Sequence, residues 1–452
     1  MNINPDRKCF VQRDNTLSLN LAFAYVVSIF LVANFEGLKL FSIGVSSMVS
    51  ALMLFYSFIK GCLTKRFVLY THPGQKLLFM VMLWAAISLY LTKILPSKAI
   101  PDEVSSYPWT TGLNSSTLRG FSFLVRLFLS LFAIEFIIVA IDTKKKYFQV
   151  INCFLVLYSL VCCFIVAQIL LYALLKVSIG YIYYDSSLFR VGGYVGEPSL
   201  MACILAGGYF LVLGVLKSKL DEIIFSHKHL KLLLAVATID LFFTFSSAWL
   251  IGVFVVFLFV SRNYFSKKQL IVLLTIVFVA LIYFLPFQEA LIAKVYREAT
   301  GLNPRTFSWI AGYNIFLQNI FTGVGIGQSV FFMPINMANI WDYLLDYDAY
   351  NEMIAVRFPP LNTHIQWLAE TGIIGLTLII CLFHTLFTSR KRIDIEYQPL
   401  VKLGFGCGLA VYMISMNAVP DYYYVGYFNF LIAMYIAGLK IYSSPREARV
   451  LS

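Results

Sequence analysis

The chain has 452 residues, of which 60% are hydrophobic and only 13% are charged, and its mean hydropathy is +0.79. A soluble domain usually carries about a quarter charged residues, so this composition excludes an ordinary soluble domain. The formal net charge of +12 does not indicate nucleic-acid binding, because the Lys and Arg residues cluster in alternate loops between apolar runs, as orientation signals in membrane proteins do.

Apolar runs near 20 residues recur along the whole chain, and each can cross a hydrocarbon core about 30 Å thick as a helix. The sequence therefore predicts an all-α polytopic membrane protein, a single integral-membrane domain over residues 1–452 with about twelve transmembrane helices. The predicted spans are, in chain order, residues 17–35, 40–59, 77–95, 121–141, 148–175, 198–216, two spans within 232–260, 269–287, 364–387, 400–419 and 426–442.

The basic clusters predict the orientation of these spans. They lie in alternate loops that share a side with the N-terminus, including residues 144–146, 217–231, 262–268 and 390–392. By the positive-inside rule both termini are therefore cytoplasmic. The predicted extracytoplasmic loops are residues 96–120, 176–197 and 288–363, of which 288–363 is the largest and carries short helices. Nearly all eight cysteines fall inside spans or in cytoplasmic loops, which supports neither a disulfide framework nor a zinc site.

The first candidate site occupies residues 190–199 of the second extracytoplasmic loop. Pro198 suits the first position of a helix, which places Glu197 at the cap, beside free N–H groups and the positive end of the helix dipole. Three glycines allow a tight turn, and Arg190 lying across it would complete a site typical of a phosphate or pyrophosphate. The alternative is a helix cap with an Arg190–Glu197 surface pair.

The second candidate site begins at Arg305, in the first turn of a helix that Pro304 opens. Its apolar face is typical of a helix along the membrane surface, so lipid-headgroup anchoring by Arg305 is the alternative interpretation. Further along the loop, Trp341 and Asp342 belong to an acidic and aromatic stretch that can stack on and hydrogen-bond sugar rings. A helical lid with interfacial aromatic residues is the alternative there.

A histidine closes the second site. Thr363 and Gln366 fit a capping box, which places His364 in the first turn of the tenth span, at the extracytoplasmic surface. The helix dipole there disfavours an imidazolium, and a neutral histidine can accept a proton from a hydroxyl group. An interfacial histidine without a task is the alternative.

Together, Arg190, Arg305 and His364 suit group transfer from a pyrophosphate-linked donor. The arginines would neutralise the leaving diphosphate in place of a divalent cation, because the sequence contains no cluster of metal-ligating residues. Neither a metal nor a cofactor is expected.

At these residues the chain resembles the O-antigen polymerase (Wzy-type) and O-antigen ligase superfamily. The matching stretches are Arg190 with residues 196–199, Arg305-x-x-x-Trp309 leading to residues 323–325, and His364 followed by residues 368–375. The turn at residues 244–247 is also similar, with Ser247 where the family usually has Arg.

The resemblance implies a metal-independent glycosyltransferase of the bacterial inner membrane, which uses undecaprenyl-pyrophosphate-linked glycans at the periplasmic face. The candidate catalytic residues are His364, Arg305, Arg190 and Glu197. The candidate substrate-binding residues are Trp309, Gly325, Asn362, Trp341, Asp342 and Arg126, the last because it could reach toward the pyrophosphate. The Gly-Glu-Pro-Ser stretch is more similar to polymerases than to ligases. The implied substrate is then a growing chain moved onto a lipid-linked repeat unit, with a chain-length regulator and a flippase of the same pathway as candidate partners.

Two alternatives to the polymerase stay open. A ligase, which moves the chain onto lipid A–core, is the alternative within the class. A flippase or transporter of lipid-linked sugars is the alternative from another class, because Arg126, Glu135 and Asp240 are charged residues within predicted spans.

Overall fold

The structure of the protein is a computed structural model that describes residues 5–31, 45–64, 73–95, 116–185, 188–194, 198–218, 220–244, 246, 304–338, 359–388, 393–416 and 426–442. Its helices are α1 (Pro5–Leu31), α2 (Val45–Thr64), α3 (Pro73–Ile94), α4 (Ser116–Ala140), α5 (Lys144–Leu175), α6 (Pro198–Ser218), α7 (His227–Phe243), α8 (Pro304–Gln318), α9 (Ser329–Ala338), α10 (Thr363–Phe387), α11 (Cys407–Ser415) and α12 (Gly426–Ile441). A π-helical segment, Pro399–Gly406, leads into α11.

Within the described ranges, five helices are long and apolar enough to cross a membrane: Pro73–Thr92, Leu118–Ala140, Lys144–Leu175, Pro198–Ser218 and Thr363–Phe387. Four further apolar helices are shorter: Thr16–Phe30, Ser46–Cys62, Pro399–Ser415 and Gly426–Ile441. The helical content and the five spans agree with the predicted all-α membrane class. The predicted span 269–287 and the second half of 232–260 lie outside the described residues.

The loop between α5 and α6 contains a β-hairpin, which was not predicted from the sequence. Strand β1 (Tyr181–Asp185) pairs antiparallel with β2 (Leu188–Gly193), and Tyr183 stands opposite Arg190. Aromatic and β-branched residues fit a pleated strand, and β1 consists largely of them. The side-chain amide of Gln168 on α5 donates to the Ile179 carbonyl at 2.5 Å and to the Tyr181 carbonyl at 3.0 Å, which ties the hairpin to the bundle.

Helices α5, α6, α11 and α12 surround a group of rings that we call the aromatic bundle: Phe154, Tyr158, Tyr412, Tyr427 and Phe430, all fully buried. Phe154 stacks on Phe430 with ring centroids 5.1 Å apart and on Tyr158 at 5.9 Å. The Tyr158 hydroxyl donates to the Leu205 carbonyl of α6 at 2.7 Å. This part of the core is held mainly by the shapes of large side chains.

Helices α8, α9 and α10 build a second, smaller core that includes Phe307, Ile315, Val324, Phe331 and Ala369. The opposite face of α8 is also apolar, since Ile310, Tyr313 and Leu317 are exposed. Helix α8 therefore buries one apolar face against its neighbours and presents another outward, as a helix at a membrane surface does.

Candidate functional site

The structure joins the two candidate sites at the start of α6. Arg305 lies in the first turn of α8 and is half-buried. Its Nη2 contacts Ser199 Oγ at 3.4 Å, across a separation of 106 residues in the chain. Ser199 is buried in the first turn of α6, next to Pro198, so a cation from the second site reaches the helix start of the first.

Arg190 lies on strand β2 rather than across a turn, which corrects the predicted local geometry. Its side chain is half-buried, and its Nε donates to the Thr244 carbonyl at the end of α7 at 3.2 Å. Of the three glycines that were expected to form the turn, Gly192 and Gly193 end strand β2, where Gly193 has a φ of 61°, and Gly196 lies outside the described residues. Glu197, the third member of that site, lies outside the described residues.

His364 is the second residue of α10, so its predicted place in the first turn is confirmed. The predicted capping box is wrong by one residue. Asn362 is the N-cap, and its Oδ1 accepts from the backbone N–H of His364 at 2.9 Å and of Ile365 at 3.1 Å. Asn362 has an extended backbone (φ −153°, ψ 114°) that suits a cap, whereas Thr363 is already helical.

The imidazole of His364 is half-buried and oriented by α11. Its Nε2 lies 3.1 Å from the Met413 carbonyl oxygen. Because a carbonyl oxygen only accepts hydrogen bonds, Nε2 must carry the hydrogen. A neutral His364 then has its lone pair on Nδ1, so a general-base role would fall to Nδ1.

A short network fixes Arg305 and His364 at neighbouring helix starts. The Ser308 hydroxyl donates to the Arg305 carbonyl at 2.8 Å and accepts from the Leu361 N–H at 3.0 Å. The indole Nε1 of Trp309 donates to the Leu361 carbonyl at 3.1 Å. Leu361 precedes the cap of α10, so the first turn of α8 is bonded to the segment that presents His364. Trp309, predicted to bind substrate, is thus part of this network.

Helix α10 is interrupted at Gly372, which has left-handed backbone angles (φ 68°, ψ −170°). The carbonyl groups that the break exposes all find donors from other elements. The Ala369 carbonyl accepts from Val324 N–H at 2.9 Å, and the Glu370 carbonyl accepts from Gly325 N–H at 2.8 Å. The Thr371 carbonyl accepts from the Trp84 indole at 2.8 Å. The break is therefore fully compensated by hydrogen bonds, as buried backbone requires.

The α10 break at Gly372 packs against the glycine loop, which we define as residues 322–328. Three of its glycines have left-handed φ values: 63° at Gly323, 94° at Gly325 and 71° at Gly327. Gly325 is buried, and its N–H donates to the backbone carbonyl of Glu370, as described above. A Cβ on Gly323 would stand 2.4 Å from the Glu370 carbonyl oxygen, so glycine is required for this close approach.

Glu370 is the residue that sequence reasoning missed. Its side chain is only 2% exposed, and the carboxylate accepts from Gly327 N–H at 2.9 Å, Ser329 Oγ at 2.6 Å and Gln366 Nε2 at 3.2 Å. It thereby caps the start of α9 and fastens the glycine loop to the half of α10 that carries His364. An acidic residue inside an otherwise apolar span was the available signal.

The other predicted binding residues are placed as follows. Arg126 lies on α4, half-buried, with its guanidinium carbon 5.6 Å from the centre of the Phe123 ring. Asn362 is buried and serves as the cap of α10. Trp341 and Asp342 lie outside the described residues. In the part of the chain that the structure covers, no group of three His, Cys, Asp or Glu residues could hold a metal ion.

These features define a polytopic helical membrane protein with an arginine and a histidine at neighbouring helix starts. Residues 232–380 match the family model described as O-Antigen ligase. That match supports the predicted resemblance to the O-antigen ligase and polymerase superfamily and a glycosyltransferase-like function of ligase or polymerase type. The matched segment covers about a third of the chain and contains Arg305, His364 and Glu370. No curated protein matches the sequence significantly.

Proposed function

We propose that the protein is an O-antigen polymerase, which transfers a growing glycan from undecaprenyl diphosphate onto a lipid-linked repeat unit at the periplasmic membrane face. The observation that carries the proposal is the contact between Arg305 and Ser199. It places a guanidinium against a helix start, where backbone N–H groups and the dipole already favour an anion. A diphosphate leaving group matches that chemistry.

The proposed reaction assigns one task to each group. His364 accepts the proton of the acceptor hydroxyl through Nδ1 while Met413 holds Nε2. The acceptor oxygen forms a bond to the anomeric carbon of the donor glycan. The bond from that carbon to the diphosphate oxygen breaks, and its electron pair leaves with undecaprenyl diphosphate. Arg190 and Arg305 neutralise the charge that develops on this leaving group, a task that a divalent cation performs elsewhere.

A ligase is the second candidate, because the matching family model carries the description O-Antigen ligase. The same donor chemistry would serve it, with lipid A–core as the acceptor. The Gly196-Glu197-Pro198-Ser199 stretch, which is more similar to polymerases, favours the polymerase.

The test uses His364→Ala, Arg190→Ala and Arg305→Ala in a host that lacks its own polymerase. We expect each variant to insert normally and to yield glycans of a single repeat, while Lys145→Ala, an exposed charge on α5, keeps long chains. Gel profiles of the glycans provide the measurement. Normal chain length in all three variants would refute the site. Unattached long chains would instead indicate a ligase, and repeat units trapped in the cytoplasm would indicate a flippase.

A further inference from the structure

Helix α4 carries two arginines on one face. Arg119 and Arg126 are seven residues apart, which is about two turns of an α-helix. Their guanidinium carbons lie 5.1 and 5.6 Å from the centre of the same ring, Phe123, which is buried. Both lie within Leu118–Ala140, an apolar candidate span. Basic residues in such a segment are costly and usually mark an ion or substrate path.

The glycine loop lies beside Arg119. Arg119 Nε donates to the Gly327 carbonyl at 3.1 Å. A Cβ on Gly327 would stand 3.0 Å from the Phe123 ring, so the loop and the ring are in close contact. Gly327 thus has Arg119 on its carbonyl and Glu370 on its N–H. The arginine face of α4 is therefore connected through one residue to the helix that carries His364.

Arg119 retains binding capacity. Among the described residues its Nε forms one hydrogen bond, its side chain packs on Phe123, and no carboxylate lies within ion-pair distance. The two terminal NH₂ groups can therefore take a bidentate anion, the geometry that guanidinium groups prefer with phosphate. Stacking on an aromatic ring keeps the guanidinium plane in a fixed position.

The proposed reaction needs a second anion site. Donor and acceptor are both lipid diphosphates, and the acceptor diphosphate is at the opposite end of the repeat unit from the attacking hydroxyl. It therefore binds away from the leaving group, yet on the side that the base can serve. The first anion site, for the leaving diphosphate, consists of Arg190 on β2 and Arg305 against the start of α6. Arg119 on α4 is linked to α10 through Gly327 and Glu370, and His364 lies six residues before Glu370, about 9 Å along the helix axis.

We propose that Arg119 and Arg126 bind the diphosphate of the acceptor lipid, an inference that rests on the proposed polymerase function. The site is lined by Phe123 and by the glycine loop at Gly327. The donor diphosphate binds at Arg190 and Arg305, so that each lipid has its own pair of arginines.

The test counts bound lipids. The full chain in lipid nanodiscs is titrated with undecaprenyl diphosphate and analysed by native mass spectrometry. We expect two molecules on the wild type, one on Arg119→Gln with Arg126→Gln, one on Arg190→Gln with Arg305→Gln, and none when all four changes are combined. The control Lys76→Gln with Lys145→Gln, two exposed positions, removes the same charge and keeps two.

The single variant Arg119→Gln controls for misfolding of the double variant, because glutamine can still donate to the Gly327 carbonyl and Arg126 is left intact. We expect an unchanged melting temperature and an affinity at least tenfold weaker for one of the two lipids. Two tight sites in both variants, or a single site in the wild type, would overturn the proposal. A ligase would fail the chain-length test of the proposed function. A polymerase that binds the same number of lipids with and without the α4 changes would pass that test, and only the proposed acceptor site would be refuted.

Discussion

The aromatic bundle and the glycine loop with the α10 break are built on opposite principles. In the bundle, large rings such as Phe154 and Phe430 interlock, and few hydrogen bonds are needed. At the break, small residues bring two backbones together, and Glu370, Trp84 and Ser88 supply the hydrogen bonds. Ser88 Oγ contacts both the Thr322 carbonyl at 2.6 Å and the Glu370 carbonyl at 2.9 Å.

This difference distinguishes the aromatic bundle, which supports the fold, from the glycine loop and α10 break, which support the candidate site. A core held by dispersion tolerates small changes, because each lost contact contributes little. A region held by buried hydrogen bonds and left-handed glycines is destabilised when a single donor, acceptor or glycine is lost, because every buried polar group left unpaired costs free energy. The candidate catalytic histidine lies on the second kind of structure, where position is most tightly defined.

The largest effect is expected from Gly372→Ala. A Cβ there would stand 2.3 Å from the Phe321 carbonyl oxygen, on a residue with φ of 68°. We expect a loss of about 3 kcal/mol or more in the free energy of unfolding, measured by denaturant titration in detergent. The matched control is Gly404→Ala beside α6, whose Cβ would meet Leu211 at an ordinary 3.4 Å and should change stability by less than about 1 kcal/mol. Equal effects of the two changes would contradict the contrast between the regions.

A smaller effect is expected when Glu370 loses its charge. Glu370→Leu leaves the Gly327 N–H and the Ser329 hydroxyl buried without their acceptor. At about 1 kcal/mol or more for each group, the free energy of unfolding should fall by about 2 to 3 kcal/mol in the same titration. Glu370→Gln retains one acceptor oxygen and should lose about half as much. A leucine variant as stable as the glutamine variant would show that these hydrogen bonds do not hold the loop.

The smallest effect is expected inside the aromatic bundle. Tyr158→Phe removes one hydroxyl, which donates to the Leu205 carbonyl at 2.7 Å, and keeps the stacked ring. We expect a loss of about 1 kcal/mol, detected as a modest drop in melting temperature. Tyr90→Phe, at a position 66% exposed, should have no effect. A loss as large as that of Glu370→Leu would mean that the bundle also depends on polar contacts.

Local signals in the sequence located the starts of the important helices. Pro198 and Pro304 begin α6 and α8, and His364 lies in the first turn of α10, as predicted. Proline at a first helical position and a polar cap act through a few neighbouring residues, so they can be read from the chain alone. The choice between Asn362 and Thr363 as cap depended on backbone angles, which the sequence leaves open.

Long-range partners could not be read in the same way. Glu370 binds Gly327 and Ser329 across more than forty residues, and Arg119 reaches Gly327 across 208. The hairpin at Tyr181–Gly193 was missed because its pairing, such as Tyr183 opposite Arg190, joins residues on two separate strands. The π-helical turn at Pro399–Gly406 likewise depends on packing against α6, which no local pattern encodes.

The interruption of α10 divides one apolar span into two mechanical parts. Residues before Gly372 are fastened to the glycine loop and to α3, and the N–H of Ile373 just after it donates to the Ile320 carbonyl at 2.8 Å, whereas the later residues continue as an unbroken helix to Phe387. A rod cut at a left-handed joint transmits bending and torsion poorly. We therefore expect changes in bilayer thickness or lateral tension to tilt residues 373–387 without moving the imidazole of His364. The chemistry at His364 would then not respond to changes in the surrounding lipid.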